Sequence, residues 1–249
     1  MQRYFVDQCL NPQDSFPLSR ADSHHISRVL RMQIGDQVQV VDGNHQLYQA
    51  EIIDLADLVT VQLGDRLDIE TELPVQVAVF SGLAKGDKFE WLVQKLTELG
   101  VYEFYPVAMR YSVAKWEPKK ADKKVSRLQK IMQAAAEQSK RLVVPVCQPL
   151  HTFDQALSQL ANYDYVIVAY EESAKQGERS QLAQLLNQVK PGERLALIFG
   201  PEGGLAPHEI EVLSQLENCY LVGLGPRIMR TETAPLYALA CISYVCELN

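Results

Sequence analysis

The sequence of 249 residues contains no apolar run near the roughly 18 to 20 residues of a membrane span. Its start, Met1 to Leu10, has neither a basic n-region nor an apolar h-region, so a soluble, unexported, cytoplasmic protein with no membrane attachment is expected. Cysteine is sparse: Cys9, Cys147, Cys219, Cys241 and Cys246 are odd in number and scattered, with no C-x-x-C pair. That argues against a disulfide framework and a zinc site, and suggests small buried hydrophobes in a reducing compartment. His24 and His25 are adjacent rather than at i, i+4, and His45, His151 and His208 are scattered, so no metal is expected. The G-x-G-x-x-G fingerprint is missing, which leaves a nucleotide-dependent oxidoreductase unsupported. No P-loop occurs either, so nucleoside triphosphate binding has no support. Lys and Arg number 24 against 31 Asp and Glu, a net charge of -7, which disfavours indiscriminate coating of nucleic acid.

What is present is ordinary globular usage, 47% hydrophobic and 22% charged. Up to about Glu70, short alternating runs (Tyr4 to Val6, Gln37 to Val41, Leu47 to Ile53, Val59 to Leu63) predict a small β-rich unit. Asp42-Gly43 predicts a hairpin in which the glycine takes a positive φ. One helix is expected from Ser23 to Leu30, with Ile26, Val29 and Leu30 on one face.

Beyond Thr71-Glu72-Leu73-Pro74, apolar strands alternate with amphipathic helices, which predicts an α/β unit with a mainly parallel sheet. Strands are expected at Val75 to Ser81, Val101 to Val107, Tyr165 to Tyr170, Leu195 to Phe199 and Tyr220 to Gly223. Helices are expected at about Ala121 to Lys140, Phe153 to Leu160, Ser180 to Val189, Pro207 to Leu216 and from Thr233 to near the end. The clearest helix carries Phe89, Leu92, Val93, Leu96 and Leu99 on one face, with Asp87 as N-cap, Glu90 three residues on, and Gly100 closing it. Two domains follow, residues 1–70 and 74–249.

Charge is unevenly placed. Between Tyr105 and Pro145 ten basic residues, among them Lys115, Lys119, Lys120, Lys123, Lys124 and Arg141, face only Glu117, Asp122 and Glu137. Such a run is either a solvated helix face or, with Tyr111 and Trp116 interleaved, a track for a phosphate backbone.

Two glycine-bearing loops follow apolar strands. Phe199-Gly200-Pro201-Glu202-Gly203-Gly204 precedes a helix opened by Pro207, and Leu221-Val222-Gly223-Leu224-Gly225-Pro226-Arg227-Ile228-Met229-Arg230-Thr231-Glu232-Thr233-Ala234 precedes the last helix. Delivered to one sheet edge, they would make a backbone-lined cleft with Glu202, Arg227, Arg230 and Glu232 at its rim. Arginine there suits a phosphate or developing negative charge, and carboxylates suit a cationic ligand.

The FGPEGG and LGPRIMRTETA loops, with HHISRVLRMQIGD, GLAKGDKFEWLVQKLTELGV and the AAEQSKR stretch, resemble the 16S ribosomal RNA uracil-N3 methyltransferases (the RsmE family) of the knotted SPOUT superfamily, over nearly the whole chain. The resemblance implies an N-terminal PUA-like β-barrel that helps hold RNA and a C-terminal α/β domain closed by a trefoil knot, working as a homodimer on 16S rRNA or the small ribosomal subunit. It also implies S-adenosyl-L-methionine bent into the knot. Carried over by motif, cofactor contacts fall on Phe199, Gly200, Pro201, Glu202, Gly203 and Gly204, on Leu221, Gly223 and Leu224, and on Arg227, Ile228, Met229, Arg230, Thr231 and Thr233. The chain departs from the family at Ala206, where a capping hydroxyl is usual, and at Pro235 and Tyr237, where smaller residues are. The N-terminal unit is acidic, so RNA contacts there rest on Arg20, Arg28 and Arg31 with His24 and His25.

Methylation of uracil N3 requires that its proton leave and that the anion spread over two flanking carbonyls be stabilised. Arg230 is expected to stabilise it and Glu232 to accept the proton, with Glu202 as second candidate; an ion pair that merely fixes the loop is the competing role for both. The sequence leaves open a methyltransferase with another RNA target, a ribose or a guanine, and a non-catalytic RNA-binding module.

Overall fold

The computed structural model describes residues 1–170 and 181–248. The residues fall into two compact units, Met1–Glu72 with Ala136–Val143, and Leu73–Ala135 with Val144–Asn249. The sequence reading draws one boundary near residue 70, so Ala136–Val143 is a difference. Its cause is polar. Arg3 Nη1 donates to the carbonyls of Arg141 (3.0 Å) and Lys140, while Glu72 accepts from the Arg141 guanidinium and from the Leu142 N–H at 2.7 Å.

The first unit is a five-stranded sheet in the order β1 (Arg3–Phe5), β3 (Gln37–Val41), β4 (Leu47–Asp54), β5 (Thr60–Leu67), β2 (Ser15–Pro17). β1 runs parallel to β3 and the other pairs are antiparallel. Alternation places Val38, Val40, Ala50, Ile52, Val61 and Leu63 in one core with Tyr4 and Ile26. The Asp42-Gly43 turn exists, but Gly43 does not have the positive φ; His45 does, at 60°. Glycine is needed at 43 because a Cβ there would lie 2.3 Å from the Asp7 carbonyl oxygen. Asp42 fixes the turn by accepting from the N–H groups of Asn44 (2.9 Å) and Gln46 (2.8 Å).

The predicted helix starts earlier, as α1 (Arg20–His24) capped by Ser19, and continues as a π-helical turn over His25–Leu30. The wider turn breaks the expected face: Ile26 is buried, whereas Val29 is 60% and Leu30 42% exposed.

The second unit is built on a parallel sheet in the order β12 (Cys219–Val222), β10 (Tyr165–Ala169), β11 (Arg194–Phe199), β6 (Gln76–Gly82), β7 (Glu103–Ala108), β8 (Val146–Cys147), with β9 (His151–Thr152) also on β7. This is the expected α/β class. Both faces are covered, so the strands are apolar on both sides: Val77, Val79, Leu195 and Leu197 join one core, and Ala78, Phe80, Ala196 and Ile198 the other. α2 (Lys88–Glu98), α3 (Pro118–Ser139), α5 (Gln181–Leu186) and α7 (Thr233–Ser243) contribute to the first; α4 (Phe153–Gln159) and α6 (Pro207–Ser214) contribute to the second. α2 is the helix read from the sequence, but Asp87 makes no side-chain cap, and Glu90 bonds Arg127 at 2.8 Å instead. Among the described residues no helix is long and apolar enough to cross a membrane.

The cysteines are free. Burial pushes the Cys147 thiol up to about 12 and Cys219 to about 11, but Cys9 is exposed, against the expectation that all are buried.

Arg141 is 3% exposed, so removing its partner strands a buried charge. Glu72→Ala should cost about 3 kcal/mol, read as a lowered midpoint in thermal or urea unfolding. A change within experimental error would show that the Arg141–Glu72 pair contributes nothing net to stability.

Candidate active site at the carboxyl edge of the parallel sheet

Parallel strands aim all their following loops at one edge, where backbone groups are open to a ligand. Four loops of the second unit leave β6, β7, β11 and β12 there. The first and third meet backbone to backbone: a Cβ on Gly82, the last residue of β6, would lie 2.4 Å from the Pro201 nitrogen. No side chain but hydrogen fits, so Gly82 is what permits the contact. The loop after β7 is tied in by Glu209 of α6, which is 4% exposed and accepts from the N–H groups of Arg110 (2.8 Å) and Ala206 (2.7 Å). Ala206 lacks a capping hydroxyl, and Glu209 supplies the surviving half of the cap. Glu209 escaped the sequence reading. The one signal was an acidic residue three after Ala206.

A lysine links the carboxylates of the two glycine loops. Lys88, the first residue of α2, places its Nζ 3.5 Å from Glu202 Oε1 and 3.3 Å from Glu232 Oε2. Glu202 also accepts from the Lys85 N–H at 3.2 Å, and Glu232 from the Thr231 hydroxyl at 3.2 Å. Burial alone would raise both carboxyls. Hydrogen bonds from backbone N–H groups and the Lys88 ammonium outweigh it, holding both below the ordinary carboxylate value. The three-group cluster of Glu202, Lys88 and Glu232 carries one net negative charge, which suits a cationic ligand held against it, while Arg227 and Arg230 add positive charge on the same loop as Glu232. Lys88 went unrecognised because its segment reads as a helix start. Its signal was electrostatic, since a cation in the first helical turn opposes the macrodipole and calls for nearby anions.

Phe199, Pro201 and Gly223 are buried; Leu221, Leu224, Met229 and Thr231 are half-buried; Gly203, Gly204, Arg227, Arg230 and Thr233 are exposed, and Ile228 is 79% exposed. The loop-fixing ion pair is present, but among the described residues Lys88 makes it, while the side chains of Arg227 and Arg230 make no ion pair or hydrogen bond. Arg230 instead offers its carbonyl to the N–H groups of Thr233 (2.9 Å) and Ala234 (3.0 Å), starting α7. Pro235 is buried in the first turn of α7, where its missing N–H is harmless.

The basic track divides. Lys115, Lys119, Lys120, Lys123 and Lys124 are exposed, with Lys120 paired to Glu117 at 2.9 Å. Arg141 is a correction, because it is buried against Glu72 in the first unit and offers RNA nothing. In that unit Arg20, Arg28 and Arg31 are exposed, as is His24, whereas His25 Nδ1 is engaged by the Tyr4 hydroxyl at 3.2 Å. Among the described residues no group of three or more His, Cys, Asp or Glu could hold a metal.

Because both carboxyls are lowered in the folded state, the stability they lend is present above about 4.5 and is lost as pH falls through their folded values. Lys88→Met should therefore lower Tm at neutral pH by the equivalent of about 0.5–1 kcal/mol, a modest figure because all three groups are partly exposed. The gap between wild type and variant should close on acidification. A gap independent of pH would mean that Lys88 stabilises by packing alone.

With that geometry in place, the comparisons with known proteins are specific. The RNA methyltransferase PUA domain matches residues 18–63 and the RNA methyltransferase domain residues 71–243. The chain is 43% identical over 252 residues to the ribosomal RNA small subunit methyltransferase E of Bacillus subtilis, covering 100% of this chain and 98% of that one. It is 35% identical over 231 residues to the Synechocystis protein of the same name, covering 92% and 73%. A ribosomal RNA small subunit methyltransferase E from Neisseria gonorrhoeae, crystallised bound to S-adenosyl methionine, superposes with a TM-score of 0.84 at 26% identity over 98% of both chains. The site lies within the residues matched by the methyltransferase domain, and the chain belongs to the ribosomal RNA small subunit methyltransferase E family.

Proposed function

We propose that this protein transfers a methyl group from S-adenosyl-L-methionine to N3 of one uridine in the 16S rRNA of the small ribosomal subunit. The observation that carries the reading is the meeting of the two glycine loops through Glu202, Lys88 and Glu232 at the carboxyl edge of the sheet, in a chain of this family.

The residues fit the cofactor. Phe199 to Gly204 and Leu221 to Leu224 offer backbone groups and apolar walls, Ile228 and Met229 add apolar surface, and the surplus carboxylate charge suits a sulfonium. Arg227, Arg230, Thr231 and Thr233 complete its surround. S-adenosylmethionine, when bound, supplies the methyl group on a cationic sulfur.

The chain's own residues then prepare the acceptor. Arg230, exposed and free of side-chain partners among the described residues, stabilises the negative charge that deprotonation places on the uracil carbonyls. Glu232, held ionised by Lys88, accepts the N3 proton, with Glu202 as the second acceptor. A lowered carboxyl is a weak base. Neighbouring positive charge must therefore acidify N3, and Arg230 supplies part of it. N3 lies on the Watson–Crick edge, so the base enters unpaired. Arg20, Arg28 and Arg31 of the first unit, and Lys115, Lys119, Lys120, Lys123 and Lys124 of the second, hold the surrounding RNA through its phosphates.

The protein acts in the cytoplasm as a homodimer, with a trefoil knot formed by its last strands and helix. Tyr237, Tyr244 and Leu248 are exposed at near-helical spacing along α7 and the turn after it, an apolar strip that suits a partner copy. The knot is supported by the chain crossing from β11 over β10 to β12 and then returning to pack α7 on β11.

Incubation with labelled S-adenosylmethionine and small subunits lacking the modification, followed by mass spectrometric mapping, should place one methyl group on uridine N3. A methyl on a ribose or guanine would overturn the assignment of the acceptor. Arg230→Ala, measured with the cofactor at saturation by calorimetry, should slow single-turnover methylation by about 100-fold. An unchanged rate would remove Arg230 from the mechanism.

A further inference from the structure

A cavity opens beside the site. It measures about 400 Å³ and lies between the loop Ala84–Asp87, the segment Ala114–Trp116 and the first half of α3. Its size matches a small-molecule site. The lining carries four cations, Lys85, Lys115, Lys124 and Arg127, against Asp87 and Glu90. Glu90 is committed to Arg127 at 2.8 Å, while among the described residues the side chains of Lys85 and Lys115 have no ion-pair partner. An uncompensated positive surface therefore faces the cavity.

One wall is aromatic. Trp116 is half-buried and held edge-on by Phe89, with ring centroids 5.8 Å apart at 83°, and Lys124 Nζ stands 5.0 Å from its centroid. The ring is fixed in place and already holds a cation over its face. A flat aromatic wall with unpaired lysines fits an unstacked nucleotide, the base against the ring and the phosphate on the ammonium groups. A phosphate alone would have no use for the ring. A duplex could not bring a base face to it.

The cavity and the methyl-transfer site share a wall: the N–H of Lys85 bonds Glu202 at 3.2 Å, while the rest of its loop lines the cavity. A base turned out of its stack at N3 drags its neighbours with it. We propose that this cavity seats a nucleotide flanking the target uridine, stacked on Trp116 with its phosphate on Lys85 and Lys115. The inference rests on the RNA methyltransferase reading and adds to it a subsite for single-stranded RNA.

The chain has two tryptophans, so Trp91→Phe leaves Trp116 as the sole indole reporter in the full-length protein. A short single-stranded RNA oligonucleotide should quench its fluorescence saturably, and an RNA duplex or inorganic polyphosphate should not. Lys115→Gln should reduce the salt slope of oligonucleotide binding by about one. Read by anisotropy of a labelled oligonucleotide, Trp116→Ala should weaken binding by about 10-fold or more, and Trp116→Phe, which keeps an aromatic ring, should restore most of it. Equal quenching by polyphosphate, or no quenching at saturating oligonucleotide, would overturn the proposal. Calorimetric binding of S-adenosylmethionine and methylation of small subunits by the same preparation separate the two readings. Quenching absent with methylation intact removes only the subsite, whereas absence of both cofactor binding and methylation removes the function on which it rests.

Discussion

The approach of Gly82 to Pro201 is the constraint on which the site depends. Neighbouring parallel strands lie ~4.8 Å apart, so the loops after β6 and β11 leave the sheet side by side, but two loops with side chains at the crossing would splay. With hydrogen at 82 they meet backbone to backbone, and everything near them falls into reach. The loop after β6 then runs beside Glu202, α2 starts with Lys88 under both carboxylates, and the loop after β12 closes against it through Glu232. A site assembled this way is built mostly from main chain, which explains how residues as chemically plain as glycine and proline can dominate it.

Much of the fold was legible because it is written in periodicities. The alternating cores of β6 and β11 and the single buried face of α2 are one-dimensional signals that survive tertiary packing. Most of the failures share a different cause, dependence on a partner distant in sequence. Gly43 looked like a positive-φ residue, yet its reason is the Asp7 carbonyl. Asp87 and Glu90 looked like a capping pair, but Arg127 of α3 takes Glu90. Val29 and Leu30 looked buried until the helix widened into a π turn. Arg141 looked like part of a basic track because its neighbours are basic, and only the fold brings Glu72 to it.

The site shows the same division. The two glycine loops and both carboxylates were visible as motifs, since strand, turn and helix follow one another in the chain. Lys88, which joins the carboxylates, and Glu209, which joins the β7 loop to α6, sit inside segments whose local pattern is fully explained by helix formation. A residue that serves two purposes shows only the simpler one in a single sequence. What betrays Lys88 is a small electrostatic inconsistency, a cation at the positive end of a helix dipole.

The charge pattern makes sense of an acidic RNA enzyme. Phosphate contacts supply affinity without regard to sequence, so a uniformly basic surface would bind any RNA and be held by most of it. Here the net charge of -7 opposes that, and positive charge is unevenly placed, with runs in α3 and its preceding loop and a smaller group at Arg20, Arg28 and Arg31. Each cluster alone is small. On the function proposed above, a substrate is selected by offering phosphates to more than one such cluster together with an unpaired base, which unstructured RNA seldom does. Specificity of this kind comes from requiring simultaneous engagement rather than from reading bases, and the surrounding acid is what makes partial engagement unprofitable.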